Sequence, residues 1–476
     1  MTLSDIAIHW FRLDLRLRDN PALLRAAEHE QVITVYIWDE STPDEFQMGG
    51  ASRWWLHHSL TSLDQDLDNQ LAIYRGDPEI ILNDLIAETG AKAVYWNRCY
   101  EPWRIAKDTQ IKQSLKELGI TATSCNGSLL WEPMTILKAD ESPYRVFTPY
   151  YRKGCLKAAM PRYPEGAPDN MKRLQKPSSS EDIAALKLIP TIPWYETMAE
   201  MWSPGESGAS DRLSAYIQNA ALNYASDRDI PSVDGTSKLS PSLHFGELSP
   251  NQIWYAIKDQ FQSDVTSIDK YLAELGWREF SYYLLYHFPQ LPEKNFNQRF
   301  DDFPWLDNDI DLIAWQQGKT GIPIIDAGMR ELWQTGYMHN RVRMVVGSFL
   351  VKNLLQHWRQ GAEWFHDCLL DADLAANSAS WQWVAGSGAD AAPYFRIFNP
   401  VLQGEKFDKQ GLYVKKYCPE LSDLPAKYIH KPWDAPADVL RLANVSLGDN
   451  YPEPIVDLRE SRERALEAFK QIKTAS

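Results

Sequence analysis

The chain has 476 residues, 44% of them hydrophobic and 24% charged, which suits a globular protein of two or three domains. No apolar run approaches the roughly 18 residues of a bilayer span, and an N-terminus that mixes Asp5, Arg12, Asp14, Arg16 and Arg18 with apolar residues builds no signal-peptide core, so no membrane association and a cytoplasmic location are expected. Five dispersed cysteines without a CxxC pair argue against a disulfide framework or a zinc site, and a net charge of −15 opposes nucleic-acid binding through bulk electrostatics.

In chain order, residues 5–11 (DIAIHWF), 32–38 (VITVYIW), 71–74 and 92–96 (KAVYW) read as short buried strands, separated by helical stretches near 20–29, 51–69, 78–89 and 101–118. That alternation predicts an α/β domain over 1–125, a doubly wound parallel sheet covered on both faces. The first strand is followed by FRLDLRLRDN where a dinucleotide-binding sheet would carry G-x-G-x-x-G, so a nucleotide-sized cofactor is expected elsewhere. From 126 to 203 periodicity fades and seven prolines fall between Pro161 and Pro204, the mark of a long interdomain connector. From 204 to 476 apolar residues recur at helical spacing, over 211–225, 250–261, 268–287, 322–335, 340–358, 362–370 and finally 457–473, which predicts an all-helical domain.

Chemistry-bearing residues concentrate in that second half. Glu274 and Trp277 share a helix face, and a carboxylate beside an indole in an apolar segment has its charged form disfavoured; a salt-bridged surface helix with Trp277 in the core reads the same way. Asn340, Arg341, Arg343 and Met344 open one helix, where Arg343 needs an anionic partner, for which Asp371 is a candidate, and Asn340 offers a neutral amide. Asp371 and Asp373 precede LAANSASW, where an Asp also reads as a helix N-cap. Asn377, Trp381 and Trp383 follow, and two indoles one residue apart point in different directions. Each Trp alone reads as core, but nineteen in one chain exceed what packing needs. GTSKLSPSLHFGELS (235–249) sets hydroxyl residues ahead of a helical stretch, which suits a pyrophosphate or a plain turn. Gly318-Lys319-Thr320 lacks the upstream glycine and strand of a P-loop, and no HExxH, G-x-S-x-G or His/Cys metal spacing occurs, so no metal is expected. Cations gather locally at Arg341, Arg343, Lys352, Arg396, Lys406, Lys409, Lys415 and Lys416, compatible with a basic groove on an acidic body or with a solvated set of surface charges.

Taken together, GWREF (276–280), MHNRVRM (338–344), NSASWQW (377–383), PYFRIFNP (393–400) and FRLDLRLRDN resemble the photolyase/cryptochrome family along nearly the whole chain. The resemblance implies an α/β domain, a connector and a helical domain that binds FAD. It implies light-driven electron transfer from excited, reduced FAD to a cyclobutane pyrimidine dimer flipped out of UV-damaged DNA, in a carbon–carbon lyase reaction. By motif, Tyr224, Thr236, Ser237, Lys238, Leu239 and Ser240 would hold the flavin's phosphates and ribitol. Asp371 and Asp373 would face its ring and adenine side, Arg343 would pair with Asp371, and Asn377 would lie near flavin N5. Glu274, Trp277, Asn340, Met344 and Trp383 would line the lesion pocket, with Glu274 steadying the dimer's radical anion. Arg228, Arg341 and Arg396 would contact phosphates of the damaged strand. Trp381, Trp358 and Trp305 match the chain that passes electrons to the flavin.

Within the resemblance, Asn340 and Met344 stand where enzymes for (6-4) photoproducts have histidines, and Asn377 where plant cryptochromes have Asp. A repair enzyme is therefore the reading, with a blue-light photoreceptor or a (6-4) enzyme as alternatives. Ser378-Ala379-Ser380, Ala372 and Tyr337 depart from the class I pattern and lean toward class III. The antenna is expected to be methenyltetrahydrofolate, with 8-hydroxy-5-deazaflavin as the alternative. Glu101 matches an antenna contact in some members and equally reads as a helix-start residue. A monomer is expected.

Overall fold

A computed structural model describes residues 5–261, 266–391 and 395–474. Pro393 and Tyr394 of the PYFRIFNP string lie outside the described residues. The chain folds as two compact units, one of Met1–Pro193, Trp202–Leu222 and Ser237–Pro289, the other of Trp194–Met201, Asn223–Thr236 and Gln290–Ser476.

The first unit is built on a parallel sheet of β1 (Ile6–Phe11), β2 (Gln31–Asp39), β3 (Leu71–Gly76), β4 (Ala93–Asn97) and β5 (Thr121–Cys125), in the order β3-β2-β1-β4-β5. Central β1 is buried at all six positions, as a strand covered on both faces must be, and pairs Ala7 with Val32 on one side and Ala93 on the other. The edge strand β5, TATSC, is absent from the sequence expectation because an edge strand carries little of the apolar patterning that marks a buried one. The crossovers are α1 (Pro21–Ala26), α2 (Gly50–Asp66), α3 (Pro78–Thr89) and α4 (Pro102–Glu117). Three of them open on a proline, whose fixed φ and missing N–H suit the first helical turn. The stretch after β5 is tied to the sheet: Leu174 N–H donates to Val32 O at 2.8 Å and Glu181 N–H to Ile73 O at 2.9 Å. The same unit holds α5 (Glu206–Asn219), α6 (Pro250–Gln260) and α7 (Thr266–His287).

The second unit is helical: α8 (Asp309–Gln316), α9 (Pro323–Thr335), α10 (Asn340–Ser348), α11 (Trp358–Cys368), α12 (Leu374–Ala385) and α13 (Leu458–Thr474) are its principal helices. Its core packs Leu332, Val342, Val345, Val346, Phe349 and Leu350 around Trp315 and Trp381. The single helix expected over 340–358 is two: α10 runs into a π-helical turn, Phe349–Asn353, Leu355 adopts φ 54°, and α11 starts afresh at Trp358. The apolar run continues through the break because the turn is itself buried, so periodicity alone could not mark it. No described helix is long and apolar enough to cross a membrane.

Candidate functional site

In the second unit the site residues are set by helix ends. His339 is the N-cap of α10 and its Nδ1 accepts from Arg341 N–H at 3.2 Å. Its own N–H donates to Glu331 Oε2 at 3.2 Å, and the same oxygen accepts from Tyr413 OH at 2.6 Å. Burial pushes the Glu331 carboxyl up, opposed by those two donors. This anchor places Asn340 in solvent and leaves Arg343 and Met344 half-buried on the next turn.

Arg343 donates through Nε to Met338 O at 2.7 Å and through one terminal nitrogen to both oxygens of Asp371, at 3.1 and 3.0 Å. Its charge is thereby balanced within the protein. Asp373 is the N-cap of α12, accepting from Ala376 N–H at 2.7 Å. Asn377 donates to Ala362 O at 2.9 Å, which leaves its Oδ1 without a hydrogen-bond partner among the described residues. Tyr337, hydrogen-bonded to Thr236, has its hydroxyl pushed up to about 12 by burial against the opposing charge of Arg343. Tyr224 is buried under the Arg228 guanidinium, 5.1 Å from its ring centre.

The indoles separate as their spacing requires. Trp381 is buried against Phe365 (5.0 Å) and Trp315 (6.2 Å), and Gly361 makes this possible, since a Cβ there would lie 2.2 Å from the Trp381 ring. Trp383 is half-buried and lines a cleft with Lys352, Asp390 and Arg396. Trp358 donates through Nε1 to Asn295 Oδ1 at 2.9 Å, and His357 lies between Trp358 (5.6 Å) and Trp305 (5.1 Å). Arg341 is paired with Asp229 at 2.7 Å and lies over Phe407, whereas exposed Arg396 has no ion-pair partner among the described residues. Thr320 N–H and Oγ1 both donate to Asp326 Oδ1, at 2.7 and 2.6 Å, so a carboxylate of the protein occupies the donors a P-loop would offer to phosphate.

In the first unit sequence-predicted residues lie on α7 and on the segment 237–240. Glu274 and Trp277 are half-buried there, and Trp277 stacks on Phe147 at 3.8 Å with 10° between planes. Leu272, Leu275, Gly276, Glu279 and Phe280 form the buried face. Glu279 is the carboxylate of this string whose charged form burial disfavours: its pKa rises to about 7 against the opposing effects of Arg278 and of the Leu130 and Trp131 N–H groups that donate to it. Sequence reasoning missed it, although the spacing 272, 275, 276, 279 puts it on the apolar side. Ser237, Lys238, Leu239 and Ser240 also lie in this unit. Lys238 takes φ 50°, Ser237 is hydrogen-bonded to Tyr271, and Ser240 opens a helix of five residues.

Glu101 is the N-cap residue of α4 and makes no capping bond. It lies at the carboxyl end of β4, beside β1, where the strand order reverses and such sheets bind ligands. Its Oε2 is buried without a hydrogen-bond partner, 3.8 Å from Arg104 Nε, while Arg104 also donates to Cys99 Sγ at 3.3 Å. No group of three metal-ligating side chains occurs among the described residues.

Two family models match the chain: DNA photolyase over residues 7–169, and the FAD binding domain of DNA photolyase over residues 271–471. A deoxyribodipyrimidine photo-lyase of Agrobacterium fabrum is 50% identical over 473 residues, 98% of each chain. Cryptochrome-2 of Arabidopsis thaliana is 38% identical, over all of this chain and 80% of its own. The crystal structure of a bacterial class III photolyase from Agrobacterium tumefaciens superposes with a TM-score of 0.94 at 50% identity, covering 99% of this chain and 98% of that one.

Proposed function

The chain belongs to the DNA photolyase family, and on that premise we propose that it repairs cyclobutane pyrimidine dimers in UV-damaged DNA under blue light, as a carbon–carbon lyase. The observation that carries this reading is the 50% identity to a deoxyribodipyrimidine photo-lyase over 98% of both chains. FAD is the cofactor, and when bound and reduced it supplies the photo-excited electron that splits the dimer.

The residues present suit such a group. Asn377 keeps a carbonyl oxygen open toward a polar ring edge, Asp371 and Arg343 already balance one another, and Asp373 is fixed by its capping bond. Thr236, Tyr224, Ser237, Lys238, Leu239 and Ser240 supply hydroxyl, ammonium and backbone donors for phosphates and ribitol. Arg343 orients Asp371 and adds no net charge at the flavin. Glu274 acts on the dimer's carbonyl oxygens, and Trp277 and Trp383 are each half-buried indoles suited to packing on its rings. Asn340 and Met344 act on the dimer without the titratable imidazoles of a (6-4) enzyme. Arg228, Arg341 and Arg396 contact phosphates, and Trp381, Trp358 and Trp305 conduct electrons to the flavin.

The antenna is methenyltetrahydrofolate, at the carboxyl end of β4; there Glu101 Oε2, ion-paired with Arg104 at 3.8 Å, accepts no hydrogen bond from the described residues, which supports a ligand with N–H donors. Fluorescence excitation of the purified holoprotein distinguishes it from 8-hydroxy-5-deazaflavin. The protein acts as a monomer, which light scattering of the holoprotein tests.

The decisive experiment follows a single thymine dimer in an oligonucleotide, with reduced protein, in blue light and in darkness. Light-dependent loss of the dimer is expected, and Glu274→Ala lowers the quantum yield while FAD stays bound. Flavin photoreduction without dimer loss would replace repair with photoreception, the reading favoured by the cryptochrome relatives.

A further inference from the structure

Lys352 belongs neither to the flavin contacts, nor to the dimer wall, nor to the electron path. It sits on the π-helical turn that follows α10, a local irregularity that recurs at functional positions. The residue is 1% exposed, and burial pushes its amine well below the usual lysine range with no carboxylate among the described residues to oppose it. Two contacts hold the amine. Nζ donates to Ala385 O at 2.7 Å, at the carbonyl end of α12, and lies 3.3 Å from the centre of the Phe395 ring.

Both neighbours are themselves fixed. Phe395 stacks on Phe469 at 4.3 Å with 5° between planes. Gly386, at φ 97°, ends α12, and a Cβ there would stand 3.2 Å from Phe395 and 3.5 Å from Lys352 Nζ. Lys352 thus ties the end of the helix that carries Trp383 to the residue that precedes Arg396. Lys352, Trp383 and Arg396 line one cleft, in which Lys352 is buried and Arg396 is exposed.

We propose that Lys352 is a positioning residue for the Arg396 contact with a DNA phosphate: by bridging Ala385 O and the Phe395 ring it holds Arg396 at the mouth of the cleft beside Trp383. The proposal rests on the repair reading. Lys352 does not bind the phosphate itself, because its donors are directed at a carbonyl and a ring face inside the protein. An arginine on a tethered segment loses less freedom on docking than one on a loose segment, which is the gain the bridge provides.

The test is binding of flavin-loaded protein to an oligonucleotide containing one thymine dimer, in the dark, over a series of salt concentrations. Each phosphate contact adds about 0.9 to the slope of log K against log salt. Arg396→Gln and Lys352→Met are each expected to flatten the slope by about 0.9, and the double variant by no more than either. Flavin content and splitting yield at saturating DNA stay at the wild-type level in Lys352→Met. A wild-type slope in Lys352→Met, or a double variant that loses about twice the single change, overturns the proposal. Phe395→Leu removes the ring and leaves every charge, so it carries the same expectation where Lys352→Met does not fold, and an unchanged slope there is equally fatal. Illumination of the same wild-type complexes tests the repair reading separately, since binding without splitting sinks that reading and leaves the slopes to decide this one.

Discussion

Buried charge is arranged differently in the two units. In the sheet-bearing unit the FRLDLRLRDN string that follows β1 answers almost wholly to backbone and to neighbouring polar side chains. Arg12 pairs with Asp108 at 2.7 Å and donates to Asn97 O, Asp108 accepts from Trp96 Nε1 at 2.8 Å, and Arg16 donates to the carbonyls of Asp19, Gly127 and Gly246. In the helical unit the guanidiniums of Arg341 and Arg343 are half-buried and paired with carboxylates, and Arg396 is left without one among the described residues. Arg, Asp and Asn thus fix strand ends in the first unit and helix starts in the second. What separates the cases is Arg396, which is exposed and has no ion-pair partner among the described residues, whereas Arg12, Arg341 and Arg343 all pair with carboxylates inside the protein.

Variants separate the two units most widely where one loses function and the other loses stability. Trp381→Phe is expected to abolish light-driven flavin reduction while chemically reduced protein still splits dimers, followed by flavin absorbance under illumination. Retained photoreduction would remove Trp381 from the conducting chain. Arg12→Ala strands Asp108 as a buried charge and is expected to cost about 3–5 kcal/mol of stability by urea unfolding, with the splitting yield of the folded fraction unchanged. A loss under about 1 kcal/mol would mean that the pair behaves as an exposed one.

Glu279 is a buried carboxylate of the α7 string in the first unit. Burial raises its pKa to about 7 from 4.5, against Arg278 and the two N–H donors. Between those values the folded chain holds a proton that the unfolded chain has released. Its contribution to stability is thus fully present below about pH 4.5 and is lost as pH rises through about 7. The loss is on the order of 3 kcal/mol. Glu279→Gln should flatten the urea midpoint across this window, and an unchanged pH profile would show that Glu279 does not titrate there.

Much of this was legible in the chain. The four apolar runs of the sheet, the helical second half, the Arg343–Asp371 pair and the cap at Asp373 all follow from local pattern and charge balance. The fifth strand was not, because TATSC has no apolar alternation to read. The break after Ser348 was not, because the π-helical turn keeps the apolar run going. Glu279, Glu331 and the bridging role of Lys352 were hidden for a further reason. Remote segments supply their partners, Leu130 and Trp131 for Glu279 being 149 and 148 residues away and Tyr413 for Glu331 being 82 away, and no local spacing encodes such a meeting.

Asp373 is the position where the two kinds of polar residue coincide, since one carboxylate is both a helix cap and a proposed flavin contact. Asparagine caps a helix about as well as aspartate, so Asp373→Asn keeps the bond to Ala376 N–H and gives up the charge at the helix start, about 0.3–1 kcal/mol. Asp373→Ala gives up the cap as well, about 1 kcal/mol more. Thermal midpoints of the flavin-free protein are therefore expected to fall slightly for the first variant and further for the second. If the carboxylate also holds the cofactor, the flavin-to-protein ratio after dialysis should fall equally in both. Flavin retention that follows the midpoints instead would leave Asp373 a cap alone, and would move the recognition of that side of the flavin to Asn377, whose carbonyl oxygen is the acceptor the helix leaves open.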